Sequence, residues 1–334
     1  MNRNKFIKIA SLSAFAGLIS CKSTNENNNC KTPDLLESVT YKKGHVYYYL
    51  NGIKKPFKVL FLSDCHITLE DERGKPFYNY AKRMGGAAVE SENYGKSNGR
   101  EAALLTSLEK AKDLNVDLVL LGGDIINFPS KASVEFVKGI LDKSGLSWRY
   151  ISGNHDWHYE GEKGTSFELR EKWIQESLAP LFQNTNPLYS SYELNGINFI
   201  MIENSTFEIT NEQFSFFKKE VEKGLPIILT MHIPLYLPGH NIDYGCGNPC
   251  WKQANDTYHK IERRTPWPVE GHSETTYAFR KLVFESKNVI GICAGHTHNE
   301  VIDSFRNKLQ IVAGSNFNGA DIVIHFEPYN AEEE

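Results

Sequence analysis

Histidine, aspartate and asparagine gather in five short clusters along this chain. They are Asp64-Cys65-His66, Gly123-Asp124, Gly153-Asn154-His155-Asp156, His232, and Gly295-His296-Thr297-His298. Imidazole and carboxylate donors without thiolate suit borderline divalent metals such as Mn, Fe, Zn or Ni. Two such ions about 3.5–4 Å apart can clamp the attacking and leaving oxygens of a transferring phosphoryl group. One His or Asp in a turn is ordinary; five clusters that all follow a strand-like run form a pattern. Asp64 and His66 stand two apart, as do His296 and His298, so in extended backbone each pair faces one way. In open α/β sheets, ligands gather at the C-terminal strand ends.

The elements that position these clusters are short apolar runs. Phe57–Leu62, 117–121, Ser147–Ile151, 226–230 and 287–294 read as buried strands, each ending at a cluster. Helical spacing marks 100–114, with Ala103, Leu104, Leu108 and Ala111 on one face, and also 134–141, 167–178 and 275–284. Asn195-Gly196 between two strand-like runs predicts a tight hairpin. Thr210 and Gln213 predict a capping box. Short strands at 300–305, 309–312 and 322–326 follow the last cluster. Strand–helix repeats, a hairpin, further repeats and closing strands argue for an α/β layered sandwich with mixed sheets.

The chain has 334 residues, a net charge of −4 and 40% hydrophobic content, enough for a sizeable core and no case for a nucleic-acid surface. Arg3, Lys5 and Lys8 precede an apolar run from Ile9 to Ile19, too short to span as a stable membrane helix. It ends Leu18-Ile19-Ser20-Cys21, which resembles the bacterial lipobox. That resemblance implies cleavage before Cys21, a lipid on its thiol, and an exported body held at a membrane surface by this anchor alone. The expected organisation is a signal peptide over 1–20, a polar tether over 21–44, and one catalytic domain over 45–330. Insertions interrupt that domain at about 67–99 and 235–271. Five cysteines remain beyond Cys21. An exported location permits a disulfide, and the turn-rich Cys246-Gly-Asn-Pro-Cys250 loop is the expected pair, with a zinc site as the rival. Cys65 and Cys293, at strand ends, are expected as small buried fillers.

The five clusters, in this order and with glycines ahead of the ligands, resemble the calcineurin-like metallophosphoesterase family. Its pattern is D-x-H, G-D-x-x-(D/N), G-N-H-(D/E), a lone His, and G-H-x-H. The resemblance implies two mixed β-sheets flanked by helices. It implies two divalent or mixed-valence metal ions, one on Asp64, His66, Asp124 and His298, the other on Asp124, Asn154, His232 and His296. Asp124 would bridge them. A metal-bridging hydroxide would attack phosphorus, and His155 would protonate the leaving oxygen as general acid. Asp156 would orient the His155 imidazole and favour its charged form. Asn127, closing the second cluster, reads equally as a support for a ligand or as a turn residue. It stands where the related purple acid phosphatases place a tyrosine iron ligand, so a tyrosinate–iron centre is not expected.

The implied activity is hydrolysis of phosphomonoesters or phosphodiesters, on a phosphorylated small molecule or a lipid. The alternative is a non-catalytic surface lipoprotein of the same fold that binds phosphorylated ligands. Both insertions directly follow ligands and are expected over the site, where their Tyr, Trp and His side chains read either as stacking on a base, sugar or lipid headgroup or as small cores of the loops themselves. Trp157, His158 and Tyr159 read either as substrate contacts or as a solvent-facing turn.

Overall fold

The computed structural model describes residues 35–85, 99–241, 244–250 and 271–330. The signal-peptide and lipidation expectations, Cys21 included, lie outside the described residues, as does Cys30. In chain order the elements begin with β1 (Leu36–Lys42), β2 (His45–Leu50), β3 (Phe57–Leu62), α1 (Tyr78–Gly85) and α2 (Arg100–Asp113). Next come β4 (Leu118–Leu121), α3 (Lys131–Ser144), β5 (Trp148–Tyr150), α4 (Ser166–Trp173), β6 (Tyr189–Leu194) and β7 (Ile197–Ile202). Then follow α5 (Asn211–Glu222), β8 (Ile227–Thr230), α6 (Glu274–Glu285), β9 (Val289–Ala294), β10 (Val301–Phe305), β11 (Lys308–Val312) and β12 (Ile322–Pro328).

They build two six-stranded sheets, ordered β1-β2-β12-β3-β4-β5 and β10-β11-β9-β8-β7-β6. Both sheets are mixed. In the first, β3, β4 and β5 run parallel while β12 pairs antiparallel with β3. In the second, β7, β8, β9 and β11 run parallel and the edge strands β6 and β10 are antiparallel. Strict alternation explains why the strands read as unbroken apolar runs: both faces are covered. Phe57, Val59 and Phe61 of β3 point between the sheets, with Phe199 and Met201 of β7. Leu60 and Leu62 point the other way, among Leu104 and Leu108 of α2 and Val137 of α3. On the far side, Phe217 of α5 and Phe279 of α6 cover Ile200 and Ile202. The result is helices, sheet, sheet, helices.

Local signals set the boundaries. The Thr210–Gln213 capping box opens α5 in both directions, and a second box, Thr165–Glu168, opens α4. Asn195 and Gly196 take φ of 49° and 86°, the left-handed pair that a tight hairpin between β6 and β7 needs. One expectation needs correction: the stretch read as tether is a strand from Leu36 onward, hydrogen-bonded antiparallel to β2. Within the first insertion, a 3₁₀ turn at Glu72–Phe77 runs into α1.

The predicted disulfide is absent. Cys246 and Cys250 are both free thiols. Cys246 pairs with Leu235 in an isolated bridge, which sinks its side chain into the core, and its thiol donates to the Phe207 carbonyl at 3.3 Å. Cys250 sits four residues on in an exposed turn, its amide capped by Asn248. One thiol is committed inward and the other outward. Cys65 and Cys293 are buried, and the Cys65 thiol donates to Asn316 Oδ1 at 3.3 Å.

Candidate metal centre

Five strand ends deliver the clusters. Asp64 and His66 follow β3, Asp124 follows β4, and Asn154 and His155 follow β5, all in the first sheet. His232 follows β8, and His296 and His298 follow β9, in the second sheet. The parallel strands put these ends on one edge, where the sheets meet.

Three groups of side chains there bring one ligand atom each within 4.8 Å of one another: Asp64–His66–His298, His66–Asp124–His155, and Asp124–His232–His296. His66 Nε2 lies 3.1 Å from His298 Nε2, and His298 Nε2 lies 3.4 Å from Asp64 Oδ1. On the other side His232 Nε2 lies 3.2 Å from Asn154 Oδ1 and 3.2 Å from Asp124 Oδ2. Asp124 Oδ2 also faces His66 Nε2 at 3.8 Å, so a single oxygen stands between the groups. Its other oxygen accepts from the His155 amide at 2.8 Å.

The donors fit a cation. Asp64 Oδ2 accepts from the Ser63 hydroxyl and the His296 amide, but Oδ1 is buried and accepts no hydrogen bond. An orphaned carboxylate oxygen facing two imidazole nitrogens is a defect in a dry core and a coordination position beside a metal. Two of the rings are oriented through their other nitrogen. His66 Nδ1 donates to Asn127 Oδ1 at 2.9 Å, and His232 Nδ1 donates to the Gly122 carbonyl at 2.9 Å. Asn127 is thus a support, not a turn filler: its Nδ2 donates to the Met84 carbonyl at 3.0 Å, which brings the end of α1 against the site.

The electrostatics match. Burial opposes charge on Asp64 and Asp124, yet the surrounding imidazoles hold both carboxyls below their usual range. Burial, and then the neighbouring His155, lowers His66; burial and His232 push His296 down to about 3. His232 moves the other way: burial disfavours its charge, but Asp124 raises it to about 9.

The backbone carries what the spacing did not show. Asp64, His66, Asp124, His296 and His298 all have left-handed φ, between 47° and 72°. These segments are not extended, so the two-residue rule does not explain the convergence. The turns split the histidines instead, sending His298 to Asp64 and His66, and His296 to Asp124 and His232. Gly123 has φ of 90°, and a Cβ there would stand 2.6 Å from His232 Nδ1. A Cβ at Gly295 would strike Ser63 and the Asp64 carboxylate.

Asp156 has a different task from the one expected. Its Oδ2 accepts from the amides of Asp124 at 2.9 Å and Gly153 at 2.7 Å, and Oδ1 from the Ile126 amide at 2.8 Å. It ties two ligand loops together. Burial and then the Asp124 charge push its carboxyl up to about 7. The His155 ring is aligned instead by the Asn127 carbonyl, 3.3 Å from Nδ1. Trp157, His158 and Tyr159 do not form a solvent-facing turn. All three are buried: the Trp157 indole donates to Ser205 Oγ at 2.7 Å, and Tyr159 stacks on Phe77 at 4.9 Å.

Residues 57–300 match the family described as calcineurin-like phosphoesterase. A Fibrobacter succinogenes protein named "Probable cyclic nucleotide phosphodiesterase" is 26% identical over 211 residues, 62% of this chain and 66% of its own length. The match thus spans just under two thirds of that relative. Among solved structures, a dimetal phosphatase from Danio rerio superposes with a TM-score of 0.52 at 11% identity, covering 81% of this chain and 93% of its own. That likeness concerns the fold, and it agrees with the two mixed sheets. With the family matched over most of the chain and its ligand blocks gathered at one edge, this protein belongs to the calcineurin-like phosphoesterases.

Proposed function

We propose that this chain is a dinuclear metal-dependent phosphoesterase that hydrolyses phosphomonoesters or phosphodiesters. The observation that supports it is the placement of Asp124 Oδ2 between two half-sites, Asp64–His66–His298 and Asn154–His232–His296. These residues would hold two divalent ions, with Mn, Fe, Zn and Ni the candidates. Bound ions supply positive charge to the phosphoryl oxygens and acidify water. The protein's own part is to orient and to move a proton. His155 is half-buried beside these residues, its Nδ1 3.3 Å from the Asn127 carbonyl, and is the group that would deliver a proton to the leaving oxygen. The name of the Fibrobacter relative makes cyclic nucleotides the first natural substrates to assay.

The direct experiment is hydrolysis of mono- and bis-nitrophenyl phosphate with each divalent ion, before and after chelation. Turnover that chelation abolishes and metal restores is expected, and the ratio of the two rates separates monoesterase from diesterase. No turnover with any divalent ion would leave capture of phosphorylated ligands as the function. The chain is further proposed to act outside the cytoplasm, anchored through a lipid on Cys21. Labelled fatty acid should enter the wild-type protein and not Cys21→Ala.

A further inference from the structure

We propose that the loop from Glu203 to Thr206 is a brace that sets the Asn154–His232 half-site, with Asn204 its positioning residue. The inference rests on the dinuclear reading above.

Asn154 and His232 come from different sheets, yet their donor atoms stand 3.2 Å apart. Each follows its strand end by only a few residues, at the rim where the ladder has stopped. The loop after β7 bridges that gap. Asn204 is fully buried, and its Oδ1 accepts from the amides of both His232, at 3.2 Å, and Ile233, at 3.0 Å. Its Nδ2 donates to the Ile233 carbonyl at 2.7 Å. One carboxamide therefore replaces the ladder hydrogen bonds that β7 no longer supplies, and it fixes the backbone that carries His232.

The next residue reaches the other sheet. Ser205 Oγ accepts from the Trp157 indole, three residues beyond Asn154. Glu203 locks the loop from below: its carboxylate accepts from the Ser205 amide at 2.9 Å and pairs with the buried Arg170 of α4. Gln213 of α5 donates to the Glu203 carbonyl. Adjacent residues of one loop thus hold the His232 segment on one side and the Asn154 segment on the other. The Asp64–His66–His298 half-site is held separately, through Asn127. Outer partners of metal ligands typically contribute about 10–100-fold in affinity, so the two half-sites should respond to different residues.

The test is titration of the metal-free protein with Mn²⁺, followed by calorimetry and by electron paramagnetic resonance of the bound ion. Two ions should bind the wild type; fewer would sink the dinuclear reading itself. Asn204→Ala should weaken one ion by about 10–100-fold and leave the other within a few-fold. Asn127→Ala should weaken the ion that Asn204→Ala spares. Trp157→Phe keeps the ring and loses the indole donor, so it should weaken the same ion as Asn204→Ala by a smaller factor. That variant carries the test if Asn204→Ala does not fold. Two ions in the wild type, with both affinities unchanged in the folded variants or both reduced equally, would overturn the brace and leave the dinuclear reading standing.

Discussion

Asp156 accepts hydrogen bonds from the amides of Asp124, Ile126 and Gly153 in a fully buried position. Asp156→Ala leaves three buried N–H groups without their acceptor, each a loss of about 1–3 kcal/mol. Destabilisation of about 3 kcal/mol or more is expected in urea unfolding; a change under 1 kcal/mol would refute this role. His155 can be isolated by leaving group. His155→Ala should slow an alkyl phosphate ester by about 10²–10⁴-fold and a nitrophenyl ester far less, because nitrophenolate departs without a proton. Equal losses on the two esters would remove it as the acid. Residue types at the site were readable because metal chemistry restricts donors to few side chains. The role of Asp156 was not, because its acceptors are backbone amides that only the folded loops bring together.

At the scale of elements, the strands that lead into the ligands were legible from their apolar runs, and β1 and β2, at one end of the first sheet, were not. The strand β1 pairs with β2 but is exposed or half-exposed along its whole length, so its sequence has no apolar alternation to read. The left-handed ligand turns were equally hidden, since φ above zero at a non-glycine residue is imposed by packing and costs about 1–3 kcal/mol each. Gly123→Ala adds a Cβ against the His232 ring at an already left-handed φ of 90°, and should lose more than about 2 kcal/mol of stability together with metal affinity. Thermal unfolding and metal titration of the variant measure both. The first insertion gives a pH signature. Glu70 is buried, accepting from the Asp71 amide at 3.1 Å and from the Tyr159 hydroxyl at 3.2 Å. Burial, against those hydrogen bonds, raises its carboxyl from 4.5 to about 7. A carboxyl raised on folding favours the native state below its unfolded value and loses that contribution as pH climbs towards 7. Between pH 4.5 and 7 the wild type should therefore lose up to a few kcal/mol relative to Glu70→Gln, then run parallel to it above pH 7. A constant difference across that window would contradict the assignment.

Over the whole molecule, the site exists only where two sheets dock through a shared core of Phe57, Phe61, Phe199 and Phe326. The proposed ligands, drawn from residue 64 to residue 298, come together only in the native state, so ions bound there would stabilise the fold by mass action. Free Mn²⁺ at a hundredfold excess over its dissociation constant should add about 2.7 kcal/mol, seen as a melting point several degrees higher than in chelator. An unchanged melting point would mean that no ion binds the native state selectively. Among the described residues no helix is long and apolar enough to cross a membrane.

The position of β12 has a consequence for biogenesis. It lies in the middle of the first sheet, hydrogen-bonded to β2 on one side and to β3 on the other. Among the described residues it is the last of eighteen strands and helices in chain order, so β2 and β3 are made before their shared neighbour. Without Ile322–Pro328 the facing edges of β2 and β3 would both lack their partner and would be open to pairing with another β-segment.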